Sequence, residues 1–164
     1  MSAVVGIDPG MSGAVAVLVP RRAPLVLKMP RTAEDLYHAL LTISTSHPEV
    51  HWAVEQLPPC VGIGGEGTAT GAQMGVLHRN AGRVEGVIWG LGYVPRMYAP
   101  QSWQRPLRDE LPVKKSLPEH RRQQEWKHAL RDCAQARFPG VQVPLYAADA
   151  LLIANHHLHQ LKNQ

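Results

Sequence analysis

Three acids stand where a folded chain seldom needs one. Asp8 closes the apolar run "SAVVGID", Glu55 ends "HWAVE", and Asp149 lies near the start of "YAADALLIANHH". Singly, each has an ordinary explanation: a turn former, an exposed strand end, an acid favoured at the positive end of a helix dipole. Together they suggest a site. Three ionised carboxylates in one partly buried place repel each other, so they need a cation or their pKa values must rise. Oxygen ligands of this kind suit Mg²⁺ or Mn²⁺. Three residues before Asp149 stands Tyr146. At that spacing the two share a helix face, yet a neutral phenol is a poor ligand for such an ion.

The elements that must position these acids can be read from the pattern of apolar residues. "SAVVGID", "SGAVAVLVP" and "PLVLKMP" are successive strands at hairpin distance. In the first, Val4, Gly6 and Asp8 share one face. Thr32 caps a helix from Ala33 to about Ser46, with Leu36, Leu40 and Ile43 on one side. "HWAVEQ" is the fourth strand, stopped by Pro58 and Pro59, and Glu55 shares a face with Ala53. "CVGIGGEGTATG" is a glycine-rich loop. A helix spans Ala72 to Leu91, and "YVPRMYAP" is the fifth strand. The proline-interrupted, basic stretch "QSWQRPLRDELPVKKSLP" reads as a mobile segment. Pro118 opens a helix to about Arg137, and a final helix begins at Tyr146. This order predicts an α/β domain with an antiparallel start and parallel additions. Strands one and four are then neighbours, and the last helix can bring Asp149 to the edge where Asp8 and Glu55 end.

The chain's 164 residues, 45% of them apolar, suit one domain spanning residues 1–164. No apolar run approaches the roughly 20 residues of a membrane span. Cys60 and Cys133 stand in unrelated contexts, so neither a disulfide frame nor a cysteine zinc site is expected, which suits a reducing cytoplasm. Lys and Arg number 17 against 13 Asp and Glu, a mild pointer to a polyanionic partner. Lys114, Lys115, Arg121, Arg122, Lys127 and Arg131 cluster late in the chain, and Arg21, Arg22, Lys28 and Arg31 form an earlier group. Each group is either a solvated face or a phosphate-contacting surface. Gly75, Gly82, Gly86 and Gly90 lie near one face of their helix. Glycine costs about 1 kcal/mol against alanine there, so close helix approach is expected, either on the chain's own sheet or across a homodimer seam. His156 lies too far along the last helix to replace residue 146, and "HHLH" reads as a solvated helix end.

"GIDPGMSGAVAV", then "AVEQ", then "AADALLIA" resembles the RuvC-type Holliday junction resolvases of the RNase H-like superfamily. "APQSWQ" and "KHALRDCAQARFP" resemble phage and bacterial relatives of that group, and the likeness runs nearly the whole chain. It implies a five-stranded mixed sheet flanked by helices. It also implies a Mg²⁺-dependent endonuclease in which two ions, with Mn²⁺ as a substitute, hydrolyse a phosphodiester of a DNA four-way junction. Asp8 would bridge the ions, Glu55 and Asp149 would each hold one side, and Lys127 would stand nearest the scissile phosphate. Such proteins work as homodimers in the cytoplasm, that of the bacterial host where phage-encoded. Tyr146 departs from the pattern. The family's last helix carries a further ligand at that place, so weakened cleavage is expected. Two other classes stay open: a protein that holds junctions without cutting them, and an RNase H-like nuclease acting on other branched or hybrid substrates. An actin-like ATPase is excluded, because it needs two domains and a second phosphate turn.

Overall fold

The computed structural model describes residues 2–57, 71–111, 116 and 118–163. Two hairpin connections join β1 (Ala3–Ile7), β2 (Ala14–Leu18) and β3 (Leu25–Lys28). They are followed by α1 (Ala33–Ser46), β4 (Val50–Glu55), α2 (Gly71–Gly90) and β5 (Arg96–Tyr98). Next come α3 (Pro100–Glu110), α4 (Glu119–Arg137), a 3₁₀ turn (Leu145–Ala147) and α5 (Ala148–Lys162). The sheet order is β3-β2-β1-β4-β5. The first three strands are antiparallel, and β4 and β5 add in parallel. The expected architecture and the neighbouring of strands one and four are both observed.

Every residue of β1 is buried, as befits a central strand covered on both faces. Ala3, Val5 and Ile7 pack with Leu36, Leu40 and Ile43 of α1 and with Val84 and Ile88 of α2. Val4 belongs to the opposite core, with Ala14, Ala16 and Ala53 of the sheet, Trp103 and Leu107 of α3, Leu130 of α4, and the apolar stripe of α5. The small residues on this second face have a positional cause. A Cβ on Gly6 would lie 2.1 Å from the Ala150 carbonyl oxygen and 2.5 Å from the Ala154 nitrogen. The backbone of α5 therefore rests directly on β1, and a strand glycine marks that approach.

Local signals set several boundaries. The Thr32 hydroxyl accepts a 3.0 Å bond from the Asp35 N–H and so caps α1. At the end of α2, Gly92 takes φ +85°. Its N–H donates to the Trp89 carbonyl, and that of Tyr93 donates to Ile88, satisfying two of the last carbonyls of the helix.

Three expectations need correcting. The stretch after Ala99 is a helix rather than a mobile segment up to Glu110. Pro100 at its first turn is pre-set for a helix start, and Trp103 and Leu107, one turn apart, are buried. Pro106 removes one internal bond without breaking it. Tyr146 does not begin the last α-helix but lies in the preceding 3₁₀ turn. The histidines of α5 are not all solvated: His157 is buried, and its Nδ1 lies 2.7 Å from the Tyr98 hydroxyl. The loop at residues 60–71 and the pair Lys114 and Lys115 fall outside the described residues, except for Gly71.

Candidate metal and nucleic-acid site

Asp8 follows β1 directly, and a short turn wraps it. The Asp8 N–H donates to the Ala14 carbonyl at 3.1 Å. The Gly10 N–H donates to Asp8 Oδ1 at 2.9 Å. A Cβ on Gly13 would stand 2.8 Å from the Asp8 carboxyl carbon, so the return of the chain past this acid requires glycine. Ile7 is in register with Val54, which puts Asp8 and Glu55 side by side at the ends of two parallel strands. Period-two alternation turns both toward the face carrying Gly6 and Ala53, where α5 lies. Asp149 reaches the same edge from the first turn of α5.

The ionisation of the three acids records their proximity. Burial first, then the Asp8 charge, then the Asp149 charge push Glu55 up to about 8. Burial and the Asp8 charge push Asp149 up to about 6, against the attraction of Lys127. Asp8 is also raised by burial, with the Gly10 N–H and Lys127 opposing. The Trp103 Nε1–H donates to Glu55 Oε1 at 3.2 Å, the one hydrogen bond to that carboxylate among the described residues. Lys127 is exposed, yet it acts on both Asp8 and Asp149. Its place follows from the packing of α4: Leu130 and Ala134, three and seven residues on, are buried, so Lys127 continues that stripe past the core toward the sheet edge.

The rest of the basic groups divide. Arg131 shares the Lys127 side of α4 and pairs with Asp132 at 2.7 Å. Arg122 lies roughly 140° around the helix from Lys127 and is paired with Glu119. Arg121 is exposed in the first turn of α4. The earlier group is not one patch. Lys28 Nζ stands 5.9 Å from the centre of the Tyr146 ring, whereas Arg21 and Arg22 line a pocket with Val4 at the other end of β1. Tyr146 is half-buried against the α5-side core and makes no hydrogen bond to the three acids among the described residues. Among those residues no three His, Cys, Asp or Glu side chains stand as a ready-made ligand set.

Sequence reasoning overlooked Trp103 as a partner of Glu55. Its signal was available: a tryptophan three residues after a helix-starting proline, directly behind the fifth strand. It also overlooked the Tyr98–His157 bond, which joins elements distant in sequence.

The arrangement of sheet and helices has counterparts among solved structures. Thermus thermophilus RuvC in complex with a Holliday junction substrate matches 99% of this chain and 96% of its own, at 17% identity and a TM-score of 0.62. The chain has a RuvC-like fold. A second Thermus thermophilus RuvC structure matches 98% of this chain and 96% of its own, at 17% identity and a TM-score of 0.56. No family model and no curated protein sequence matches. The RuvC-like fold agrees with the five-stranded mixed sheet expected from the sequence. Among the described residues, no helix is long and apolar enough to cross a membrane.

Proposed function

We propose that this chain is a structure-selective DNA endonuclease that resolves four-way junctions, with one nuclease domain spanning residues 1–164. The observation that carries the reading is the convergence of Asp8, Glu55 and Asp149, with Lys127, at one edge of a RuvC-like sheet. Three carboxylates raised by burial, two of them also by the charge of neighbouring acids, form a donor set for hard divalent cations, so the chemistry of the residues fits Mg²⁺ or Mn²⁺. Asp8, whose charge acts on both other acids, would hold the ions together with Glu55 and Asp149. Bound there, the ions supply the positive charge that activates a water and stabilises the leaving oxygen of a phosphodiester. Trp103 holds the Glu55 carboxylate in orientation. Lys127 offers its ammonium to the phosphate beside the acids, and Arg131 extends the basic surface on the same side of α4, with Arg121 and Arg122 on other sides of that helix and Lys114 and Lys115 preceding it in sequence. Tyr146 supplies no carboxylate at the fourth ligand position, so cleavage is slow.

The same reading includes a homodimer. Gly75, Gly82, Gly86 and Gly90 are exposed, with nothing within 4 Å of a Cβ built on any of them among the described residues, so they do not serve packing on the chain's own sheet. They face away from the buried stripe of Ala81, Val84 and Ile88, and Trp89 is 57% exposed beside them. A second copy of the helix would cover this smooth face, and a two-fold dimer matches a substrate that needs two nicks. Gly86→Leu should then give monomers in sedimentation without loss of fold, whereas an unmodified monomer at micromolar concentration would refute the seam.

Tyr146 favours a second reading, a junction-binding protein that does not cut. One substrate panel separates the readings. Four-way junction, linear duplex, flap and RNA–DNA hybrid are assayed for binding and nicking with Mg²⁺ and with EDTA. A resolvase binds the junction above the duplex, with affinity falling steeply with salt, and nicks only with Mg²⁺. Binding without nicking by any carboxylate-restored variant supports the second reading, and preference for flap or hybrid makes the chain a nuclease of another substrate.

A further inference from the structure

At the end of β1 opposite Asp8 lies a pocket of about 750 Å³. Val4 lines it, and Asp8 is four residues farther along, roughly 13 Å away. Its walls are apolar: Val4 and Leu18 from the sheet, Phe138 beyond α4, Leu158 and Leu161 from α5. Its polar lining is almost wholly basic. Arg21, Arg22, Lys162 and His51 reach it, and among the described residues no acidic side chain does. Among the described residues, none of the side chains of Arg21, Arg22 and Lys162 is held in an ion pair. The volume lies within the usual range for small-molecule sites, which join apolar walls to a few orienting polar groups.

The backbone adds an independent sign. Arg22 N–H donates to the Val19 carbonyl at 3.1 Å, closing a turn with Pro20 second and Arg21 third. Arg21 has φ +63°, and it is the one residue other than glycine with positive φ among those described. Glycine or asparagine is the usual occupant of that place. A guanidinium is carried there at a backbone cost, and it lines the pocket.

We propose that this pocket binds a small amphipathic anion, an apolar body with a carboxylate, phosphate or sulfonate head. The head meets Arg21 and Arg22, whose planar guanidinium groups pair well with such oxygens. The body lies against Leu18, Phe138, Leu158 and Leu161. A nucleic-acid backbone fits this place poorly, because its sugars and phosphates gain little from apolar walls. The site is separate from the carboxylate edge and independent of the chain's nuclease reading.

The test uses the full chain and 8-anilinonaphthalene-1-sulfonate as the fluorescent probe, with decanoate and decanol as competitors. The expected result is one saturable site per chain from which decanoate displaces the probe and decanol does so far less well. Arg21→Gly should weaken probe and decanoate roughly tenfold or more while leaving the thermal midpoint equal or higher, because glycine accepts the positive φ. Leu161→Trp, which fills the pocket, should abolish both. The proposal is overturned if decanol competes as well as decanoate, or if Arg21→Gly binds unchanged. It is also overturned if binding falls as the chain self-associates, which would assign the pocket to a second copy.

Discussion

Helix α5 carries an ionisable group in a confined place at each end, and the two have opposite surroundings. Toward its C-terminus His157 is buried, and burial with nearby positive charge pushes its pKa down to about 4. It has a partner, the Tyr98 hydroxyl at 2.7 Å, with His156 against the same ring. At the N-terminus Asp149 is pushed up to about 6, by burial first and then by the Asp8 carboxylate, against the pull of the Lys127 ammonium. A buried polar group with its hydrogen bond made serves the fold. An acid buried beside a like charge, with no hydrogen bond to its carboxylate among the described residues, calls for something the chain does not supply. That difference separates a structural histidine from a candidate metal edge on one helix.

The largest effect should come from removing the acids. Asp8→Asn, Glu55→Gln and Asp149→Asn should each lower Mg²⁺-dependent nicking by roughly a thousandfold or more. Junction binding should persist, since less negative charge then faces the phosphates. Loss of junction binding together with fold would instead put these residues in the same structural class as His157.

The two ends should also give stability opposite slopes with pH. Glu55 and Asp149 have folded pKa values above their unfolded ones, so without divalent cation their contribution is full at low pH. It is lost as pH rises, through about 6 for Asp149 and about 8 for Glu55. His157 has a folded pKa below its unfolded one, so its contribution is full above about 6.5 and is lost as pH falls through about 4. Chemical denaturation in EDTA should show Glu55→Gln gaining on the order of a few kcal/mol near pH 8. Mg²⁺ should recover much of the same stability in the unmodified chain. A flat profile from pH 5 to 8, indifferent to Mg²⁺, would refute the electrostatic account of the edge.

Trp103→Phe should have a smaller effect. It keeps the buried ring but removes the donor to Glu55, and nicking should fall roughly tenfold with little change in thermal midpoint. An unchanged rate would leave Trp103 as core alone.

Much of this was legible in the sequence because it is local. Alternation in "SAVVGID" and "HWAVE" places Asp8 and Glu55 on one face, and Thr32 announces α1. What stayed hidden depends on contacts across the chain. Trp103 and His157 take their meaning from Glu55 and Tyr98, 48 and 59 residues away. The basic runs looked like patches because residues close in sequence look close in space. A helix separates Arg122 from Lys127, and a strand separates Arg21 from the acid edge. The glycines of α2 could not be assigned to an inner or outer face until the buried stripe was known.

The most direct test of the account is a single-turnover nicking rate on one mobile four-way junction at fixed Mg²⁺. It compares the unmodified chain with Tyr146→Asp, Tyr146→Phe and the double variant Tyr146→Asp/Asp149→Asn. The account predicts that Tyr146→Asp cuts about a hundredfold faster or more than the unmodified chain, that Tyr146→Phe matches the unmodified chain, and that the double variant and all EDTA controls leave the junction intact. Nicking that persists in EDTA or in the double variant would contradict it, as would a Tyr146→Asp chain that binds the junction and never cuts.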